Sequence, residues 1–90
     1  MSAVGQSIQA GKGVVSDTGD GVRFGGSYAF SASGSEPARV EITVWDRRSV
    51  ELDVTLQEGD TFQVAEQTWR LDKIHTEGTS DWHADLTRIA

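Results

Sequence analysis

The chain contains no cysteine, a single proline and no long apolar run. Without cysteine it can form neither a disulfide framework nor a thiolate metal site, so its stability must come from packing or self-association. Its apolar runs are far shorter than the roughly 20 residues that span a bilayer, or the roughly 7 to 15 of a signal-peptide core. These absences favour a cytoplasmic protein that does not contact membranes.

Basic residues are also scarce. The sequence has 8 Lys and Arg against 14 Asp and Glu, which gives a formal net charge of −6. An acidic surface repels phosphate backbones, so we do not expect nucleic-acid binding. The same charge favours a basic protein partner, or serves only to keep a small domain in solution.

The length bounds the domain organisation. Ninety residues with 37% hydrophobic content are enough for one small core and no more. We expect residues 6–90 to form a single β domain and residues 1–5 to be a frayed N-terminus.

Apolar residues recur with a period of two, which is typical of half-buried strands. The two clearest strands alternate over Val40–Val44 and Val50–Leu56, and the polar segment Asp46–Ser49 joins them as a hairpin with a buried Val/Ile/Leu face. Shorter strand signals occur at 7–16, 22–24, 28–30, 62–64, 69–74 and 82–89. A turn of helix over 64–71 is an alternative. The pattern predicts an all-β fold, a single small antiparallel sandwich or barrel of about seven or eight short strands with meander-like connections.

Two late segments break the strict alternation. Apolar residues stand at 69, 71 and 74 in the first, and at 82, 84, 86 and 89 in the second. A β-bulge or a kink at a strand end produces such a shift. We therefore expect irregular strands here, with Trp69 and Trp82 in the core.

The triplet Asp17-Thr18-Gly19 resembles the catalytic motif of the aspartic proteases, including the retroviral enzymes that dimerise from short chains. In that family two Asp residues share one proton and activate water. This chain departs from the pattern with Ser16 before the triplet and Asp20 after it, and a further acid beside such a dyad is unfavourable. The motif therefore favours a polar turn rich in Asp and Gly, with Asp17 only a minor catalytic candidate.

A row of polar residues suggests a metal or acid/base site. Asp81, His83 and Asp85 alternate with apolar residues and so share one strand face, where neighbours start ~6.6 to 7 Å apart. Two of them could close on one ion, and His75 could supply a ligand from the preceding strand. A His/Asp metal site is one interpretation, and a His–carboxylate pair with His83 as the catalytic candidate is another. The competing interpretation is an ordinary solvated face, on which we expect no cofactor.

Trp45, Arg47 and Arg48 form the candidate binding surface. Strict alternation places Trp45 on the outer face of its strand, so either a bulge turns it into the core or it is an exposed anchor. Trp and Arg are enriched among residues that dominate binding energy.

The segments Glu58–Val64 and Thr68–Ile74 resemble a pattern found in small, uncharacterised all-β proteins of actinobacteria. The resemblance rests on these two segments. It implies a bacterial protein of the same fold class and carries no function.

These observations favour a non-catalytic protein-binding or accessory module. It would act through an exposed β edge or through the Trp45, Arg47 and Arg48 surface, with a second copy or a basic protein as partner. The alternative is a small metal-dependent or acid/base hydrolase that uses His75, Asp81, His83 and Asp85.

Overall fold

The computed structural model describes residues 4–30, 32, 34–75 and 82–90. All of the regular elements in these ranges are β-strands, which confirms the all-β prediction. They are β1 (Ser7–Gly11), β2 (Val15–Asp17), β3 (Arg23–Phe30), β4 (Arg39–Trp45), β5 (Glu51–Gln57), β6 (Thr61–Val64), β7 (Gln67–His75) and β8 (His83–Arg88). The described ranges contain no helix that could cross a membrane.

The strands form two antiparallel sheets of four. The first sheet has the order β1-β8-β7-β6 and the second has the order β2-β3-β4-β5. Neighbours in the second sheet are consecutive in the chain, as are β6, β7 and β8, so the predicted meander describes both groups. It is wrong for β1, which pairs with β8 at the other end of the described chain.

The core lies between the two sheets. The ring of Phe24, in the second sheet, contacts the rings of Phe62 and Trp69, in the first sheet. Both contacts have edge-to-face geometry, with centroids 5.7 and 5.0 Å apart. Such contacts add to the free energy gained by burying the rings. Trp69 and Trp82 are both buried, as their spacing predicted.

The predicted buried face of β5 is only partly correct. Leu56 is buried, but Val50 and Leu52 are 60% and 52% exposed. Val50 precedes the strand, and Leu52 lies on the inner face of an edge strand.

The first third of the chain is more regular than its glycines suggested. The expected strand over 7–16 is two strands, β1 and β2, separated by a turn in which Gly13 has φ +73°. Strand β3 runs through Gly25 and Gly26, with a register shift at Ser27. A Cβ on Gly26 would lie 2.5 Å from the carbonyl carbon of Gly11, so the backbones of β1 and β3 touch there.

A two-residue turn joins β6 to β7. Ala65 and Glu66 both have positive φ, at 50° and 65°, as a type I′ hairpin turn requires. The helical turn considered over 64–71 is therefore wrong.

Candidate functional site

The outer face of the first sheet is polar because alternate residues of its strands point away from the core. Strand β8 buries Ala84 and Leu86, and so directs His83 and Asp85 outward. In β1, Gln9 lies opposite Asp85.

A bulge in β7 places His75 on this face. Trp69 and Leu71 point into the core, and unbroken alternation would direct His75 inward as well. The register instead shifts between Leu71 and Lys73, after which Ile74 is buried and His75 pairs with His83. The predicted bulge is thus confirmed, and it re-aims the side chain that completes the cluster.

Three side chains meet at this point, and we call His75, His83 and Asp85 the histidine cluster. The Nε2 atom of His75 lies 2.8 Å from Oδ2 of Asp85, and the imidazole of His75 stacks on that of His83 with centroids 4.3 Å apart and planes 19° from parallel. One nitrogen or oxygen from each residue lies within 4.8 Å of the others. Three of the four sequence candidates are therefore brought together, while Asp81 lies outside the described residues.

The surroundings of the histidine cluster are open. His83 is exposed, and His75 and Asp85 are half-buried. A shallow cavity of about 340 Å³ adjoins His83, and its lining includes Gln9, Lys12, Val14 and Trp82. Imidazole nitrogen and carboxylate oxygen are among the atoms that bind zinc in proteins, so the cluster has suitable donors.

Asp17 takes part in a turn. Its Oδ1 accepts a 2.7 Å hydrogen bond from the backbone N–H of Gly19, which closes an Asx turn between β2 and β3. The carboxylate is exposed and is used locally, as expected for a polar turn.

A polar network surrounds Asp20, and no sequence pattern predicts it. Its carboxylate accepts hydrogen bonds from the Thr18 hydroxyl and, at 2.7 Å, from Nε2 of Gln67. Gln67 is 2% exposed, and its Oε1 accepts a 3.0 Å bond from Nε1 of Trp69. The guanidinium of Arg47 lies 3.5 Å from the same carboxylate. The network ties the β2–β3 loop to β7 and to the β4–β5 loop.

The pKa of Asp20 reflects opposing effects. Burial acts to raise the pKa, but hydrogen bonds from Thr18, Gln67 and the backbone of Val22, with the charge of Arg47, lower it below its usual value. Asp20 is therefore ionised in the folded protein at neutral pH.

Trp45 makes different contacts from Arg47 and Arg48, which together line a shallow cavity in the hairpin loop. Trp45 lies on the outer face of the second sheet, where it is half-buried over Gly25 and has the guanidinium of Arg23 5.4 Å from its ring centroid. No bulge turns it into the core. Arg47 instead donates from Nε to the backbone oxygen of Asp20 at 3.2 Å, and Arg48 is exposed in the hairpin loop.

Strand β5 is an edge of the second sheet. The N–H of Asp46 donates to the carbonyl of Val50 at 3.2 Å, which makes this pair a hydrogen-bonded one. Because such pairs alternate along an antiparallel ladder, Glu51, Asp53 and Thr55 direct their N–H and C=O groups away from β4.

The side chains along this edge have a simple pattern. Glu51, Asp53 and Thr55 lie on the outer face of the sheet and are exposed, while Leu52 and Val54 lie on the inner face and are only partly covered. The edge therefore presents acidic groups on one side and apolar groups on the other.

Residues 5–90 match the family model described as a family of unknown function, DUF6406, and the chain belongs to that family. No curated protein and no solved structure matches the chain.

Proposed function

We propose that the chain is a non-catalytic binding module, which receives an extended basic segment of a partner protein at the edge of β5. The family to which the chain belongs has no assigned activity, so the proposal rests on the structure. The observation that carries the proposal is the set of outward main-chain groups at Glu51, Asp53 and Thr55. A strand added to a sheet edge gains affinity from main-chain hydrogen bonds and specificity from alternate side chains. We infer a bacterial cytoplasmic location from the resemblance to actinobacterial proteins and from the lack of cysteine and of long apolar runs.

The side chains of β5 define the chemistry of the segment. Alternate residues of an added strand would face Glu51 and Asp53 on one side of the sheet, and Leu52 and Val54 on the other. Lys or Arg alternating with β-branched apolar residues fits both sides. The overall charge of −6 supports the approach of such a segment from a distance.

A second copy of the chain fits this edge less well. Antiparallel pairing of β5 with itself, centred on Asp53, would place two carboxylates directly opposite each other, and like charges in opposite positions destabilise a sheet. We therefore favour a basic partner over self-association here.

An enzyme is the weaker alternative. The histidine cluster lies on an open sheet face, whereas substrate sites are usually concave and largely enclosed.

A labelled peptide of about seven residues with alternating Lys and Val tests the proposal. Its fluorescence anisotropy is titrated with protein at several salt concentrations. The control peptide has the same composition with Lys and Val in separate blocks. We expect the alternating peptide to bind at least about tenfold more tightly, and equal binding of the two peptides would contradict the proposal.

Two variants of one residue locate the contact. Thr55→Pro removes an N–H that points away from β4 and leaves the ladder intact, as proline does on edge strands. We expect it to abolish peptide binding, while Thr55→Ala binds as wild type. If Thr55→Pro binds normally and Trp45→Ala does not, the contact lies on the Trp45, Arg47 and Arg48 surface instead and the edge proposal is wrong.

A further inference from the structure

The histidine cluster supports a second inference that is independent of the β5 edge. We propose that His75, His83 and Asp85 form a binding site for a divalent transition-metal ion of the zinc class, with the fourth coordination position open to solvent.

The donor set matches the ion. Two imidazoles and one carboxylate, with water in the fourth position, is a known zinc arrangement, and three protein ligands are usual where one position stays open. With bonds of about 2.1 Å, tetrahedral geometry places ligand atoms about 3.4 Å apart. The three donors already lie within 4.8 Å of one another, so each pair of donor atoms must approach by at most about 1.4 Å.

Hydrogen bonds hold the carboxylate of Asp85 in place, whereas the side chain of His83 is free to move. The Nε2 atom of Gln9 donates to Oδ1 of Asp85 at 3.2 Å, which fixes the carboxylate with Oδ2 toward His75. Hydrogen bonds of this kind orient metal ligands. The two rings are nearly parallel, and a metal must lie close to the plane of each, so one ring must turn. His83 is exposed and can rotate without disturbing the core.

Two nearby positive charges oppose the ion, since Lys12 lines the cavity beside His83 and Lys73 lies next to Asp85. Lys73 pairs with Asp85 in the register and is exposed on the same face. Its long side chain can extend into water, but its positive charge lowers the attraction of the site for a cation. Removing this charge should therefore strengthen metal binding.

Titration of tag-free protein with Zn²⁺, followed by calorimetry and by imidazole ¹⁵N chemical shifts, tests the site. The chain has only two histidines, so one variant assigns both sets of signals. We expect one ion per chain, shifts at both imidazoles, and a melting temperature raised by about 10 °C at Zn²⁺ concentrations about 100 times the dissociation constant.

Four variants make the result specific. His83→Ala and Asp85→Asn should each weaken Zn²⁺ binding at least about tenfold, and Lys73→Gln should strengthen it. Glu41→Gln, on the outer face of the other sheet, is the matched carboxylate control and should bind as wild type. Absence of binding heat and of imidazole shifts in the wild type would overturn the inference. Binding that persists unchanged in both His83→Ala and Asp85→Asn would overturn it as well.

Discussion

Gln67 donates a 2.7 Å hydrogen bond to Asp20 and thereby joins the two sheets of the sandwich through polar groups. Gln67 lies in β7 of the first sheet, and Asp20 follows β2 of the second. The same amide accepts the indole N–H of Trp69, so each end of the Gln67 side chain has a partner. A buried polar residue with both of its groups satisfied fixes how the two sheets meet.

Replacing Gln67 with Met is expected to lower the free energy of unfolding by about 2 to 3 kcal/mol, because the indole N–H of Trp69 and the carboxylate of Asp20 each lose a partner. Urea denaturation followed by tryptophan fluorescence measures the change. The matched control is Gln63→Met on the exposed face of β6, which should change stability by less than about 0.5 kcal/mol. A Gln67→Met protein as stable as this control would show that the network contributes nothing.

The lowered pKa of Asp20 predicts how stability depends on pH. A carboxylate whose pKa is lower in the folded state than in the unfolded state stabilises the fold above the unfolded value, near 3.8, and loses that contribution as the pH falls through the folded value. Asp72 acts in the same direction, because hydrogen bonding from Thr87 outweighs burial and Arg70 adds to the effect.

Acid titration monitored by circular dichroism tests this dependence. Wild type should lose stability below about pH 4, and Asp20→Asn should be less stable at neutral pH with a shallower loss in acid. Glu36→Gln, in the exposed pair with Arg39, serves as the control and should follow the wild-type curve. A wild-type curve retained in full by Asp20→Asn would rule out this role for Asp20.

The contact between β1 and β3 predicts an asymmetry between two adjacent glycines. A Cβ on Gly26 would meet the backbone of Gly11 at 2.5 Å and the Trp82 ring at 2.8 Å, so Gly26→Ala should destabilise the protein by about 3 kcal/mol or prevent folding. A Cβ on Gly25 would meet the half-exposed ring of Trp45 at 3.2 Å and the side chain of Val15 at an ordinary contact distance of 3.7 Å, and Gly25→Ala should cost less than about 1 kcal/mol. Thermal unfolding of the two variants compares them directly, and equal losses would contradict the close approach.

The turn between β6 and β7 offers a stabilising substitution. Glu66 is exposed at φ 65°, a conformation that costs a side-chain-bearing residue about 1 kcal/mol and that glycine adopts freely. Glu66→Gly should therefore raise the melting temperature by a few degrees. Glu51→Gly, made in the extended strand β5, should lower it, and a loss of stability in Glu66→Gly would show that the turn is not strained.

The alternating segments were predictable because each strand buries one face. The alternation over residues 40–44 and the spacing around Trp69 were regular enough to predict which side chains face the core. The parity break after Leu71 correctly indicated a bulge. The pairing of β1 with β8 was not predictable, because local alternation says nothing about which distant strand lies alongside.

The side-chain clusters also differ in whether residue spacing predicts them. His83 and Asp85 share a face because they are two residues apart, and the spacing alone indicated this. The role of Gln67 was not predictable from spacing, because a polar residue after a turn cannot be distinguished from a loop residue until the position of its partner Asp20 is known. Trp45 and Arg47 are close in sequence, but each contacts a different part of the molecule.

The pairing of β1 with β8 has a consequence for synthesis on the ribosome. The four strands of the second sheet are consecutive in the chain and can pair as they emerge, whereas β1 is made before them and its partner is made after every other strand. The nascent chain must therefore carry residues 7–11 without their partner strand until residues 83–88 have left the exit tunnel. A strand held without its partner for that time is open to contacts with other chains, so the speed of translation through the last third of the sequence should influence how much of the protein reaches its native state.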